Sequence, residues 1–156
     1  MKAEVRERLA RQGAETPRVL PCACANLRRA SRAVSQLYDE QVRGAGLNIA
    51  QFTLLQVLFQ VGRLTQGSLG QILVLDSTTL TRTLRTLERK GWIRRRPGKD
   101  RRERQIALTS AGRSRFLRAV PAWNRAQELL RSRVGRRRWN GLMAELSRIA
   151  GTSRRT

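Results

Sequence analysis

The organisation of the chain follows from one stretch, residues 64–93, which reads LTQGSLGQILVLDSTTLTRTLRTLERKGWI. Thr65 is a good N-cap for a short helix, because its hydroxyl can accept a bond from a free backbone N–H of the first turn. Asp76 or Ser77 can cap a second helix in the same way, and Gly91 closes it. A short helix, a tight turn and a second helix together predict a helix-turn-helix unit.

The second helix of this unit has two faces of opposite character. Leu80, Leu84 and Leu87 recur at helical spacing and predict a buried stripe. The opposite face suits a DNA major groove, because arginine can pair with guanine and threonine can contact a thymine methyl group. A solvated amphipathic helix would show the same pattern. The candidate DNA contacts of the unit are Thr65, Ser77, Thr78, Thr79, Thr81, Arg82, Arg85 and Arg89.

Two short strands follow, at residues 92–96 and 104–108, around a Pro-Gly turn. An arginine on such a projecting loop can enter a narrow minor groove, where the potential is most negative. Asp100 can hold the Arg102 guanidinium in place before binding, although Asp is also an ordinary turn residue. The candidate contacts of this hairpin are Arg94, Lys99, Asp100, Arg101 and Arg102.

Apolar residues at helical spacing extend to both sides of this centre. The predicted fold is mainly α with a small β-hairpin wing, an α+β arrangement. Residues 47–108 are predicted to form a winged helix-turn-helix domain, and residues 22–46 and 109–151 a helical dimerisation region. Residues 1–21 form a charged N-terminal extension without the apolar core of a secretory signal.

Local signals predict where the flanking helices begin and end. Asn48 and Gln51 have the spacing of a capping box. Gly135 with the arginine run 136–138 predicts a break in the last helical segment, and Gly151 predicts its end. Tyr38 is assigned to the core.

Composition excludes several function classes. The 156 residues include 33 Lys and Arg against 11 Asp and Glu, for a net charge of +22, and no His. Without His there is no His-based catalytic pair or His metal site, and no other catalytic cluster stands out, so an enzyme is not expected. Aromatic residues make up only 4%, too few for a platform that stacks single-stranded bases. The net charge instead indicates a polyanionic partner, double-stranded DNA.

The positive charge is concentrated in two blocks. Residues 77–104 contain eleven cationic and three anionic side chains. Residues 131–156 contain eight and one, which fits a tail or a solvated helix face. The central block coincides with the predicted helix and hairpin and therefore looks like an electrostatic footprint on DNA.

Taken together, these motifs resemble the MarR family of bacterial winged-helix transcription regulators. The resemblance rests on LTQGSL at 64–69, DSTTLTR at 76–82, LERKGWI at 87–93, DRR at 100–102 and ALTSAG at 107–112. It implies a homodimer with residues 77–90 as the recognition helix and Arg102 as the reader of the minor groove. It also implies a pseudo-palindromic operator and a repressor released by a small-molecule effector or by thiol oxidation. The dimer would cover the apolar side chains of Leu117, Val120, Trp123, Leu142, Leu146 and Ile149.

Cys22 and Cys24 are the only cysteines, at the start of the first long helix. Thiols at a helix N-terminus can serve in redox sensing or bind a soft metal or metalloid. They can equally be small apolar residues packed in a dimer interface, so any metal stays unknown, and no cofactor is predicted.

Two functions remain in comparison. The first is a dimeric, sequence-specific repressor in the cytoplasm, and the alternative is an architectural protein that coats DNA through charge alone. Because a coating protein is insensitive to sequence and loses affinity steeply with salt, the two differ experimentally. No membrane segment is predicted, since the apolar stretches are short and interrupted.

Overall fold

The computed structural model describes residues 22–97 and 104–152 of the chain. These residues form six α-helices: α1 Ala23–Val42, α2 Ile49–Val61, α3 Gln66–Leu73, α4 Ser77–Arg89, α5 Ser110–Val134 and α6 Arg136–Thr152. They also form three strands: β1 Leu64–Thr65, β2 Ile93–Pro97 and β3 Arg104–Leu108. A short 3-10 turn, Arg43–Ala45, follows α1. The prediction of a mainly helical fold with a small β-hairpin is confirmed.

The chain divides into two compact units, with the boundary between Val34 and Ser35 inside α1. In the first unit, the backbone N–H and the side-chain amide of Asn26 both donate to the carbonyl oxygen of Cys22, at 3.1 and 3.0 Å. Cys22 therefore caps α1. The remaining elements and the end of α1 belong to the second unit. The predicted division between residues 47–108 and the flanking helices stays a prediction.

Helix α2 begins as the sequence predicts. Asn48 Oδ1 accepts a bond of 2.8 Å from the Gln51 backbone, and Gln51 Oε1 accepts one of 3.4 Å from the Asn48 backbone. This reciprocal pair is a capping box. Leu47 and Phe52, which flank the cap, are both buried and belong to the same core. The start of α2 is therefore determined by polar bonds and by packing together.

The helix-turn-helix unit is also confirmed. Thr65 Oγ1 accepts from the Ser68 backbone at 3.1 Å and caps α3, while Asp76 Oδ1 accepts from the Thr79 backbone at 2.8 Å and caps α4. The predicted stripe of Leu80, Leu84 and Leu87 is fully inside the core. Because these leucines hold α4 against the core, its other face is turned to solvent.

The turn between the two helices passes through Val74 in a left-handed conformation, with φ of +51°. A β-branched residue rarely adopts this conformation, which costs roughly 1–3 kcal/mol. The backbone N–H groups of Val74 and Leu75 both donate to the Gly70 carbonyl oxygen and close the end of α3. The strained residue thus makes the tight turn from which α4 starts.

The predicted hairpin is present as β2 and β3, and β1 adds a third strand, which gives an antiparallel sheet in the order β1-β3-β2. In register, Ile93 faces Leu108 and Arg95 faces Ile106 across the hairpin, and Leu64 faces Ile106 on the other side. Strand β1 is not predicted from the sequence, because two residues carry no alternation that could reveal a strand. This short strand ties the start of α3 to the hairpin.

Helix α5 packs along the core from its first turn. Gly112 lies so close to Trp92 that a Cβ at this position would collide with the Trp92 carbonyl oxygen. Further along, the Trp123 ring stacks on Phe52 with 5.6 Å between ring centroids. Val120 also packs against this core. Val120 and Trp123 are therefore covered in part by their own chain, and that a partner covers the rest stays a prediction.

The predicted break at Gly135 is confirmed, but the predicted role of the arginine run and the predicted end at Gly151 are wrong. Gly135 alone separates α5 from α6, and the arginine run 136–138 forms the first turn of α6 rather than a break. Helix α6 then continues through Gly151 to Thr152. Glycine can also adopt the helical conformation, at a modest cost in conformational entropy, so it does not have to end a helix. Pro121 lies inside α5, which is continuous around it.

Among the described residues, no single helix is both long and apolar enough to cross a membrane. Only the bent pair Ala23–Ala45 and Ile49–Val61 meets the length and composition criteria, and only when its two members are taken together.

Candidate nucleic-acid interface

The solvent face of α4 carries most of the predicted contacts. Thr78, Arg82, Arg85 and Arg89 are all exposed, on the side opposite the buried leucines. They line a shallow open groove along the helix together with Ser77, Thr81, Thr86 and Glu88. The face thus presents three guanidinium groups and several hydroxyls on one rigid helix, which can donate to base edges and phosphates.

The start of α4 is set by the carboxylate of Asp76. Bonding from the Thr79 backbone, the largest cause, lowers the pKa of this carboxyl below its usual value. The ionised form is favoured because it accepts these bonds and faces the positive end of the helix dipole. Ser77 and Thr79 beside it are exposed, so the first turn is both anchored and accessible.

Two of the predicted contacts already have partners within the chain. Thr81 is half-buried, and its hydroxyl accepts a bond of 2.8 Å from Gln66 Nε2 of α3. Thr65 is also half-buried, and its hydroxyl serves as the cap of α3 and lies 2.9 Å from Ser68 Oγ. Both hydroxyls position the helices, and whether they also contact a ligand stays a prediction.

Strand β2 divides its arginines between two faces. Arg94 and Arg96 are exposed, whereas Arg95 is 20% exposed and its Nε lies 3.1 Å from Glu88 Oε2 of α4. This ion pair holds the hairpin against the end of α4. Arg94 is among the predicted contacts and Arg96 is not, although the two-residue period of a strand places both on the same face.

The predicted tip of the hairpin, Lys99, Asp100, Arg101 and Arg102, lies outside the described residues. Its residues stay predictions from the sequence. The strands on either side, β2 and β3, are paired up to Pro97 and Arg104, so the tip is bounded by a regular hairpin.

Trp92 is the junction between α4, the hairpin and α5. Its backbone N–H donates to Leu87 O of α4 at 3.0 Å, and its carbonyl oxygen accepts from Thr109 at 3.1 Å. The Arg115 guanidinium of α5 lies 5.1 Å from the centre of its ring. Because β2 starts at the next residue, a displacement of Trp92 would move both α4 and the hairpin.

A small cationic pocket lies between the end of α1 and α5. Its polar lining comes from Gln41, Arg115, Arg118 and Arg125. Arg115 donates to the Ala45 carbonyl oxygen at 2.8 Å, while its Nε is buried without a hydrogen-bond partner among the described residues. Three guanidinium groups around one cavity favour an anion.

The two cysteines are both exposed in the single chain and unpaired. Within residues 22–97 and 104–152, no cluster of three or more His, Cys, Asp or Glu side chains could hold a metal ion. Because both cysteines are exposed, neither is packed in the core of its own chain.

The caps, the buried leucine stripe, the three-stranded sheet and the exposed arginines define a winged-helix protein. The sequence model of the MarR family matches residues 47–103. In fold, the chain resembles the M. tuberculosis transcriptional regulator MosR in a crystal structure with DNA, with a TM-score of 0.78 and 33% identity. The alignment covers 85% of this chain and 96% of MosR. The chain belongs to the MarR family of transcriptional regulators.

The chain is also similar to other proteins, over a shorter part of its length or at a lower sequence identity. YwoH of Bacillus subtilis, an HTH-type transcriptional regulator, is 31% identical over 90 residues, which are 58% of this chain and 66% of YwoH. SarZ of Staphylococcus haemolyticus is 34% identical over 83 residues, 53% of this chain and 56% of SarZ. The chain thus spans less than two thirds of these curated relatives. The S. aureus MepR–DNA complex, at 24% identity and a TM-score of 0.71 over 84% of this chain and 98% of that one, shares the fold.

Proposed function

We propose that the chain is a homodimeric, sequence-specific DNA-binding protein that represses transcription at a pseudo-palindromic operator. In each protomer α4 enters a major groove, and Arg102, which lies outside the described residues, reads the adjacent minor groove. Because two-fold symmetry of a dimer is mirrored in its site, the half-sites lie about one helical turn apart. The protein acts where the DNA is, in the cytoplasm, and without catalysis.

One observation carries this proposal. The arginine and threonine face of α4 is exposed because Leu80, Leu84 and Leu87 fix the opposite face in the core. A rigid helix that presents Arg82 and Arg85 can make bidentate pairs with guanine, which a disordered basic tail cannot do reproducibly. The similarity to MosR, whose crystal structure contains DNA, supports the same use of the fold.

Homodimerisation is supported by apolar side chains that the single chain leaves uncovered. Leu129 of α5 and Leu146 and Ile149 of α6 are each about 40% exposed, at 39, 40 and 40%. Apolar side chains of this size that stay partly exposed on two consecutive helices are typical of an interface. A second copy of α5 and α6 offers the same surface in return, as an isologous dimer requires.

Release by a small anionic ligand is supported by the cationic pocket beside Arg115. An anion there would complete the bonding of the Arg115 guanidinium and draw it from the Trp92 ring. Since Trp92 bonds to the last turn of α4 and precedes β2, such a shift would change the spacing between recognition helix and hairpin. The ligand thus has a physical route by which it can lower DNA affinity.

Release by thiol chemistry at Cys22 and Cys24 is the second candidate trigger. Both thiols are exposed and lie at the start of α1, where an oxidant or a soft metal has access. The described residues offer no further ligand for a metal beside them, so oxidation is the better supported of the two chemistries.

The test is a selection of the protein on a random DNA pool at near-physiological salt, with and without thiol reductant. We expect an enriched palindrome, because a regulator retains a large specific margin over non-specific binding at this salt. Enrichment that disappears without reductant would assign the trigger to the cysteines. If no motif emerges under either condition, the protein is the non-specific DNA-coating protein instead.

A further inference from the structure

Positive charge is not confined to α4 and the hairpin, because a second group of arginines surrounds the turn between α5 and α6. We call it the α5–α6 arginine cluster, and it consists of Arg131, Arg133, Arg136, Arg137 and Arg138. All five are exposed, and Gly135, at a φ of +91°, joins the two helices between them. Among the described residues, one carboxylate contacts the cluster, Glu128, which lies 3.2 Å from Arg136.

Three of these arginines lie at the N-terminus of α6, where a positive charge destabilises a helix. Arg136, Arg137 and Arg138 are the first residues of α6, and its first turn has no acidic residue. The N-terminus of a helix carries partial positive charge, so cations there are unfavourable and carboxylates favourable. The start of α4 follows this rule with Asp76, whereas the start of α6 breaks it. Among the described residues, Glu128 is the carboxylate that pairs with one of these three arginines, Arg136. A departure from local preference of this kind is expected at a functional position.

The cluster is separated from the first candidate interface by the length of α5. This helix has 25 residues, which at 1.5 Å per residue is about 37 Å. Its first turn packs on Trp92 through Gly112, next to the hairpin, and its last turn carries Arg131 and Arg133. The cluster and the recognition helix are therefore held at different ends of one rigid element.

We propose that the α5–α6 arginine cluster is a second nucleic-acid site, which binds the phosphate backbone of another duplex while α4 occupies the first. Guanidinium groups pair bidentately with phosphate, and such contacts are independent of base sequence. Five cations within eight residues match the dense and regular charge of a duplex. The protein would thereby bring two DNA segments together. The binding of the first duplex by α4 rests on the proposed function, whereas the binding of the second duplex by the cluster does not.

The test uses two duplexes. The first contains the motif enriched in the selection and is immobilised on beads; the second is fluorescent and has no such motif. The full chain is bound to the beads, and recruitment of the fluorescent duplex is measured over a range of salt concentrations. We expect wild-type protein to recruit it, with recruitment that falls steeply as salt rises because phosphate contacts release counterions.

Matched variants identify the site. The triple substitution Arg133→Gln, Arg137→Gln and Arg138→Gln removes three positive charges from the cluster. We expect recruitment to fall about tenfold or more, and the slope of log affinity for the second duplex against log salt to fall by about 2.7, for three lost contacts. Affinity for the immobilised duplex should stay within about twofold of wild type. The control removes the same charge elsewhere, by Arg28→Gln, Arg32→Gln and Arg148→Gln, and should recruit as wild type does.

The remaining outcomes overturn one proposal or the other. Equal recruitment by the cluster variant and wild type, or an equal loss in both triple variants, would reject the cluster as the site. A parallel loss of affinity for the immobilised duplex would mean that the cluster contacts the first duplex only. Binding of anionic lipid vesicles without recruitment of a duplex would reassign the cluster to a membrane surface. If wild-type protein binds the first duplex but recruits none, only this inference fails, whereas no binding to either duplex refutes the proposed function.

Discussion

Helices α4 and α6 both combine leucines on one face with arginines on another, but only α4 has its apolar face covered by its own chain. Leu80, Leu84 and Leu87 of α4 are 1, 0 and 0% exposed. No residue of α6 is buried, and Leu146 and Ile149 are each 40% exposed. The comparison teaches that an apolar stripe specifies a face to be covered and leaves open which molecule covers it.

The largest expected effect tests this difference directly. Leu84→Ala should lower the free energy of unfolding by about 2–5 kcal/mol, because it leaves a cavity in a closed core. Leu146→Ala should change the unfolding free energy of the monomer by no more than about 0.5 kcal/mol, since its side chain is already partly solvated. Urea denaturation at low protein concentration measures both. Similar losses for the two variants would contradict the contrast between the helices.

The next effect concerns what covers α6. The double substitution Leu146→Asp and Ile149→Asp places two charges on the proposed interface and should weaken dimerisation by more than about 2 kcal/mol, or about thirtyfold. Sedimentation equilibrium measures the change, and operator affinity should fall with it because each monomer reaches only one half-site. The exposed substitution Ser147→Asp, between these residues in sequence, is the control. A double variant that remains dimeric would place the interface elsewhere.

The exposed face of α4 allows a comparison at single arginines. Arg85→Ala should cost about 1–3 kcal/mol on the enriched motif and less on altered motifs, because a bidentate pair with a base carries discrimination. Arg148→Ala on α6, whose guanidinium is 2.7 Å from Glu145, should leave operator binding unchanged. Fluorescence anisotropy on a panel of single-base variants measures both. A uniform loss across the panel would make Arg85 a phosphate contact.

Arg102→Ala extends the comparison to the predicted tip of the hairpin. A minor-groove arginine responds mainly to groove width and potential, so this variant should weaken binding by a similar factor on many sequences. The same anisotropy panel measures the effect, with Arg63→Ala as a control on an exposed residue outside the hairpin. Unchanged affinity would argue against a hairpin in the minor groove.

The smallest expected effect concerns the start of α4. Because the pKa of Asp76 is lowered in the folded chain, its carboxylate contributes stability above its unfolded pKa and loses this contribution as pH falls through the folded value. Below about pH 4, the free energy of unfolding of wild type should therefore fall more than that of Asp76→Asn, because asparagine does not titrate. Urea unfolding at pH 6 and pH 3 measures the difference. If the unfolding free energies of the two proteins change in parallel with pH, the ionised form of Asp76 does not stabilise the start of α4.

Several elements of the site could be predicted because their causes are local. The caps at Asn48, Thr65 and Asp76 depend on residues three positions apart, and each is present. The leucine stripe of α4 extends over about two turns, and its predicted burial is confirmed. Arg94 and Arg96 are exposed because alternate residues of a strand share a face. Three consecutive arginines show no alternation in the sequence, so the pattern does not reveal which of them are exposed. The use of the Thr81 hydroxyl within the chain depends on Gln66 of α3, and no spacing rule identifies this partner.

The sequence by itself determined the helix-turn-helix, its caps and the positive charge, since these arise from propensity, periodicity and composition. Only the tertiary structure decided that Leu64 and Thr65 pair with β3, that Trp123 stacks on Phe52 and that α6 leaves Leu146 uncovered. Each of these outcomes depends on contacts between residues far apart in the chain. A local pattern states that an apolar face must be buried, and the packing of the whole chain selects its partner.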